Sequence, residues 1–375
     1  MVITIVLGTR PEVIKLAPVI LEGRRRGHTV KVVLTGQHRH MALPLLHFFG
    51  ITPDVDLDVM VPGQTLTGLS GRVLAKLDAE KDAVSGDVIL VQGDTTSAFI
   101  AAYWAFCNKI PVGHVEAGLR TYDLMAPFPE EANRQLIGRL AAFHFAPTKT
   151  ALIALRKEGV GPSKIHNVGN TAIDALLYTM KRLKEASGVG IADSEKLSQQ
   201  VREFIGENPL VLVTAHRRES FGEGFEGICS GIKQVAEARP DVKFVYPVHP
   251  NPNVRGPVER LLAGYSNILL CDPVPYVGFV ELMQRASVLL TDSGGIQEEG
   301  PTLRKPIIVM REETERPEGV TVGFAKLVGT DSGKIRRETL KALKNGCKGR
   351  GKNPYGDGKS AGRIIGVLGR HAVKN

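Results

Sequence analysis

Short apolar runs recur along the chain, each followed by a polar or glycine-containing turn and then a stretch of helical character. Residues 2–7, 29–35, 87–92 and 110–115 predict strands in the first half. Residues 210–215, 242–248, 268–271, 288–291 and 306–310 predict strands in the second. Most of these runs are apolar throughout rather than alternating, as expected of strands covered on both faces. Between and after them, residues 12–26, 96–108, 171–186 and 360–368 predict helices. Strands alternating with helices predict parallel sheets built from right-handed crossovers, hence an α/β fold of two doubly wound domains. The boundary falls within 170–208, through the polar segment 188–196, giving domains 1–170 and 171–358. A glycine-rich basic stretch, 346–358, predicts a loop before the last helix.

Composition narrows the class. The 375 residues are 43% hydrophobic and 23% charged, the balance of an ordinary globular chain. No apolar stretch approaches the ~20 residues that span a bilayer, and the first run is short and ends in the turn Gly8-Thr-Arg-Pro11. Neither a membrane span nor a secretory leader is expected. The four cysteines, Cys107, Cys229, Cys271 and Cys347, show no metal or redox spacing, which fits a reducing, cytoplasmic setting without a metal. The net charge of +9 falls partly in the tail, away from base-stacking aromatics. It reads as solvated surface, not a nucleic-acid site, and its field would help attract a diphosphate.

In open parallel sheets, ligands bind beyond the carboxyl ends of the strands. Gly8-Thr-Arg-Pro-Glu12 follows the first strand, with Lys15 one turn later. Gln92-Gly-Asp-Thr-Thr96 and Glu116-Ala-Gly-Leu-Arg120 follow two more. His216-Arg-Arg-Glu219 and Thr291-Asp-Ser-Gly-Gly295 end two strands of the second half. Each also has a plainer reading. Asp94 taken alone is a good helix N-cap, and Glu130-Glu131 suit a helix N-terminus after proline. His216 could be a hydrogen-bonded packing histidine, although Arg217 and Arg218 beside it favour an anion equally. Ser293, Gly294 and Gly295 form either a tight turn or a small-residue cradle for a phosphate, with Arg10, Lys15 or Arg316 completing its neutralisation. There is no Walker A sequence and no GxGxxG in the first turn, so no nicotinamide cofactor is indicated.

Eight motifs stand together in order: Gly8-Thr-Arg-Pro-Glu12, Gln92-Gly-Asp-Thr-Thr96, Gly113-His-Val-Glu-Ala-Gly-Leu-Arg-Thr121, Pro129-Glu-Glu-Ala-Asn-Arg134, Thr214-Ala-His-Arg-Arg-Glu-Ser220, Tyr246-Pro-Val-His249, Thr291-Asp-Ser-Gly-Gly-Ile-Gln-Glu-Glu299 and Glu315-Arg-Pro-Glu318. In this the chain resembles the non-hydrolysing UDP-N-acetylglucosamine 2-epimerases, from the first strand to about Gly329. The resemblance implies the GT-B fold, two Rossmann-like domains facing a central cleft, with the last segment, 359–375, packed back on the N-terminal domain. It also implies a homodimer and a UDP-N-acetylhexosamine substrate. By similarity Asp94, Glu116 and Glu130 form the acid/base set, and His216 and Arg10 partner the leaving diphosphate. Lys15 lines the substrate site, Phe279 contacts the uracil region, Ser293, Gly294 and Gly295 hold the diphosphate, Glu299 the ribose and Arg316 the phosphates.

The C2 hydrogen of the sugar is not next to a carbonyl. Members of the family therefore expel UDP from C1, remove the C2 proton to give 2-acetamidoglucal, then re-add UDP with the proton delivered to the opposite face. That route needs carboxyl groups for both faces and cations for the diphosphate, but no redox cofactor. A glycosyltransferase of the same fold would account for the Ser-Gly-Gly turn and Glu299, but not for carboxylates at three places in the N-terminal half. A hydrolysing relative, an epimerase for a modified UDP-sugar and a nucleotide-sugar binding module are the other readings. One departure stands out. Relatives commonly read Gln-His-Arg-x-Met-Leu-Asp-Gln after the second strand, a region that serves a second, activating substrate molecule. Here Gln37-His-Arg-His-Met41 continues as Ala42-Leu-Pro44. An activating site with Gln37, Arg72 and His249 would lack its Asp-Gln.

Overall fold

The computed structural model describes residues 1–185 and 191–372. Residues 188–190 of the expected boundary segment, residue 186 of the expected helix 171–186 and residues 373–375 of the expected C-terminal segment lie outside the described residues. The chain divides into two compact units, Met1–Tyr178 with Tyr355–Asn375, and Thr179–Pro354.

Unit 1 is built on seven parallel strands: β1 (Val2–Leu7), β2 (Thr29–Leu34), β3 (Val55–Asp56), β4 (Val88–Gln92), β5 (Val112–Val115), β6 (Phe143–Ala146) and β7 (Ile165–Asn167). They lie in the order β3-β2-β1-β4-β5-β6-β7. Unit 2 repeats the plan with six: β8 (Leu210–Thr214), β9 (Lys243–Pro247), β10 (Ile268–Cys271), β11 (Val288–Thr291), β12 (Ile307–Val309) and β13 (Ala325–Leu327), in the order β10-β9-β8-β11-β12-β13. All nine expected strands form, within two residues of their expected ends. Four further strands were not expected. Three of them, β3, β7 and β13, are edge strands of two or three residues containing an Asp, His or Lys. The fourth, Phe-His-Phe-Ala of β6, has its apolar run broken by His144.

Each sheet reverses its winding once, between β1 and β4 in unit 1 and between β8 and β11 in unit 2. These switch points leave a crevice at the carboxyl ends of the strands, because the connections on either side depart in opposite directions. Side chains that are completely buried pack the helices to the sheets, among them Trp104 and Val73 in unit 1 and Phe225, Phe244 and Ile335 in unit 2.

The first crossover helix, Arg10–Arg25, starts two residues earlier than its apolar periodicity predicts. Proline is tolerated in the first turn, where its missing N–H has no helical partner, so Pro11 opens the helix rather than closing a turn. Glu12 then reaches back to accept from Gly8 N (3.0 Å) and Thr9 N (2.7 Å). The last helix, Ser360–Ala372, belongs to unit 1. Asp174 accepts from Ser360 N (3.2 Å) and Ala361 N (2.9 Å) at its start, and the His371 ring meets Phe143 of β6 edge-on at 4.9 Å. Among the described residues, no helix is long and apolar enough to cross a membrane.

Candidate active site

In unit 1 the ionisable residues gather at the β1–β4 switch point and on the adjoining end of β5. Glu116 follows β5 with a φ of +66°, a left-handed conformation rarely taken by a residue with a Cβ. Strain of this kind persists only where the surroundings enforce it, and it is common at functional sites. The turned carboxylate is 8% exposed, and its Oε2 receives both Lys15 Nζ and Gln92 Nε2. Asp94 lies after β4. Thr95, not Asp94, is the N-cap of helix Thr96–Cys107, its hydroxyl accepting from Ala98 N at 3.0 Å. The carboxyl of Asp94 is thus left to Arg134, whose Nε donates to it at 3.0 Å. Burial pushes the Asp94 pKa above the ordinary carboxylate value. Arg134 opposes that shift, Glu116 adds to it, Lys15 opposes it and Glu130 adds to it. A carboxyl group whose proton is held more firmly in this way suits a residue that takes and returns a proton.

The adjacent acids Glu130 and Glu131 open helix Glu130–Leu140 and have different tasks. Glu131 is fully buried and accepts from the N–H groups of Thr121 (3.0 Å) and Tyr122 (3.2 Å), tying down the preceding loop. Glu130 has a buried Oε2 with no hydrogen-bond partner among the described residues. A desolvated carboxylate oxygen is costly unless something binds it, so a ligand is the natural partner.

In unit 2 the equivalent switch point carries His216 after β8 and Asp292 after β11. Asp292 is inaccessible to solvent, and its Oδ2 accepts from the N–H groups of His216 (2.6 Å) and Arg217 (2.7 Å), while Oδ1 lies 3.4 Å from His216 Nδ1. Tyr246 donates its hydroxyl to Ala215 O at 2.8 Å, so the backbone just before His216 is held as well. Burial pushes the His216 pKa below its ordinary value, Asp292 pulls it up, and Arg217 and His249 push it down. The His249 ring stacks on that of His216 at 5.7 Å. After β11, the Arg316 guanidinium lies against the Ser293-Gly294-Gly295 turn. A Cβ on Gly294 would come within 2.9 Å of Arg316 Cζ, and Arg316 Nε donates to the buried Glu298 at 2.9 Å. Glycine therefore permits a cation to rest on a small-residue turn, a geometry suited to a phosphate.

Known proteins resemble this chain over nearly its whole length. The sequence model described as UDP-N-acetylglucosamine 2-epimerase matches residues 22–369. The UDP-N-acetylglucosamine 2-epimerase of Escherichia coli K12 is 47% identical over 98% of both chains, and that of Yersinia pestis is 47% identical over the same shares. The crystal structure of the Neisseria meningitidis enzyme bound to UDP-GlcNAc superposes with a TM-score of 0.89, at 42% identity, covering 99% of this chain and 100% of the other. The chain belongs to the UDP-N-acetylglucosamine 2-epimerase family. Its two Rossmann-like units are those of the GT-B fold.

For a member of this epimerase family, the residues proposed from sequence divide between the units. Lys15, Asp94, Glu116 and Glu130 come together in unit 1, where Arg10 is the first residue of the neighbouring helix. Gln37 accepts from Ser97 Oγ at 2.8 Å, and Arg72 binds Val59 O (3.0 Å) and Gln64 Oε1, anchoring the loop after β3. In unit 2, His216 pairs with His249, and Arg316 with Gly294. Phe279 stands on helix Tyr276–Arg285, and Glu299 ends helix Gly294–Glu299. Sequence reasoning passed over Gln92, Arg134 and Asp292 as site residues. Each lies inside a quoted motif, but their partners Glu116, Asp94 and His216 are 24, 40 and 76 residues away. Strand register brings the last pair together: Asp292 and His216 follow neighbouring parallel strands, Thr291 opposite Thr214, a pairing that only the sheet order supplies.

Proposed function

We propose that the chain is a non-hydrolysing epimerase that interconverts UDP-N-acetylglucosamine and UDP-N-acetylmannosamine. The observation that carries this reading is the convergence of three carboxyl groups, Asp94, Glu116 and Glu130, at one strand rim, with the Asp94 pKa raised. Two such groups serve the two faces of C2. In the first half-reaction the C1–O bond breaks and its electron pair leaves with UDP, while a carboxylate takes the C2 proton, giving the 2-acetamidoglucal. In the second, the diphosphate oxygen adds back to C1 and a carboxylic acid delivers a proton to the other face of C2. No electrons leave the system, so no redox cofactor is consumed. Lys15 holds the Glu116 carboxylate, and Arg134 the Asp94 carboxyl. His216 and Arg10 partner the departing diphosphate, Ser293, Gly294, Gly295 and Arg316 hold it, Glu299 takes the ribose and Phe279 the uracil. Glu116→Gln is expected to abolish deuterium wash-in at C2 in deuterium oxide while UDP affinity, measured by calorimetry, is largely kept. Full wash-in in that variant overturns the assignment.

We further propose a homodimer acting in the cytoplasm ahead of polysaccharide assembly. Helix Thr96–Cys107 has no charged residue and exposes Tyr103 and Phe106, and the helix packed against it, Glu130–Leu140, exposes Leu136. A helix apolar on all sides is expected to be covered, and a second copy would cover it. Cys107, Cys229, Cys271 and Cys347 are all free thiols, which supports a reducing compartment.

A further inference from the structure

We propose that His114 is a positioning residue for the epimerisation, its Nε2–H holding the Gly93 carbonyl so that the next residue, Asp94, keeps its aim. This rests on Asp94 belonging to the acid/base set. His114 lies on β5 opposite Val91 of β4, with its ring 1% exposed and its Nε2 2.7 Å from Gly93 O. The Gly93 N–H is held from the same strand, donating to Val115 O at 3.0 Å. Both polar groups of Gly93, a residue in the left-handed region at φ +70°, are thereby tied to β5. On the other side, Asn133 Nδ2 donates to Asp94 O at 2.8 Å and Arg134 Nε to the carboxyl at 3.0 Å. Asp94 thus hangs between two anchors, His114 before it and helix Glu130–Leu140 after it. A carbonyl acceptor requires the proton on Nε2, and burial pushes the ring pKa down to about 3, so the donor persists across the working pH range. Nothing in the acid/base chemistry needs the ring itself, and its Nδ1 has no partner among the described residues.

Four variants test this: Asp94→Asn, His114→Leu, His114→Gln and His114→Asn. The readouts are kcat, KM, deuterium wash-in at C2, UDP affinity, and the pH dependence of kcat/KM, with circular dichroism as the folding control. His114→Leu is expected to lower kcat and wash-in about 10- to 100-fold, as small misplacements of a reacting group do, while KM and UDP affinity stay within about threefold. His114→Gln, whose amide nitrogen reaches the place of Nε2, should recover most of the rate. The ionisation of Asp94, set also by Arg134, Glu116, Lys15 and Glu130, should move in the pH profile of His114→Leu and return in His114→Gln. Wild-type kcat in folded His114→Leu overturns the proposal, and so does a loss without rescue by Gln and without a shifted profile. If the Leu variant does not fold, His114→Asn decides, because its shorter amide falls short of Gly93. A lower kcat at unchanged KM then supports the proposal and wild-type kcat overturns it. Full wash-in by Asp94→Asn would instead remove Asp94 from the acid/base set, an outcome read independently of the His114 variants.

Discussion

At the scale of single residues, identical side chains acquire different tasks from the burial and partners they are given. Glu130 and Glu131 are adjacent in sequence, yet Glu131 anchors a loop through two backbone N–H groups and Glu130 keeps a buried oxygen with no hydrogen-bond partner among the described residues. Gly294 matters through what it lacks. In Gly294→Ala the new Cβ would meet Arg316 Cζ at 2.9 Å and displace a guanidinium fixed by Glu298. UDP affinity by calorimetry should fall about tenfold, the loss of one charge-assisted contact, with little change in melting temperature. The two buried histidines of unit 1 set an acid limit on stability. Burial holds the pKa of His114 at about 3 and of His144 at about 4, below the ordinary 6.5. Below that ordinary value the unfolded chain takes up protons that the folded one does not, so stability is full above it and is lost as pH falls toward the folded values. At pH 5 each ring should cost about 2 kcal/mol. Denaturant midpoints at pH 7.5 and pH 5 check this. His144→Leu, whatever its effect on absolute stability, should lose less between the two pH values than the parent.

At the scale of elements, the strand ends are the functional unit. A parallel strand covered on both faces is mostly apolar until it stops, so an ionisable residue directly after it marks the rim; Glu116 after β5 and His216 after β8 were legible for that reason. Helix starts were less legible. Asp94 and Thr95 both suit an N-cap, and only the path of the chain shows that Thr95 takes the role. The helix Arg39–Phe48 contains Leu43 and Pro44, where the family's activating motif has Asp-Gln. Leucine offers no carboxylate, and proline has neither a side-chain amide nor an N–H. Initial rates are therefore expected to depend hyperbolically on UDP-N-acetylglucosamine, with a Hill coefficient of about 1. Clear sigmoidicity would mean that other residues complete a second substrate site.

At the scale of the whole molecule, the proposed homodimer would bury the uncharged crossover helix Thr96–Cys107 of unit 1. Phe106→Glu places a charge at a 57% exposed apolar position and should shift the sedimentation coefficient from dimer to monomer, with the circular dichroism unchanged; a variant that stays dimeric would move the interface elsewhere. Sequence alone determined the strand rhythm, the parallel sheets, the motifs at the rims and the family they resemble, because periodicity, turn chemistry and spacing are local properties of the chain. Tertiary structure decided the partnerships: Arg134 with Asp94, Gln92 and Lys15 with Glu116, Asp292 with His216 and His114 with Gly93. These join residues 21 to 101 positions apart, and an electrostatic or hydrogen-bonded pairing depends on distance in space and on excluded water. Strand register and burial supply both, and no local pattern encodes either.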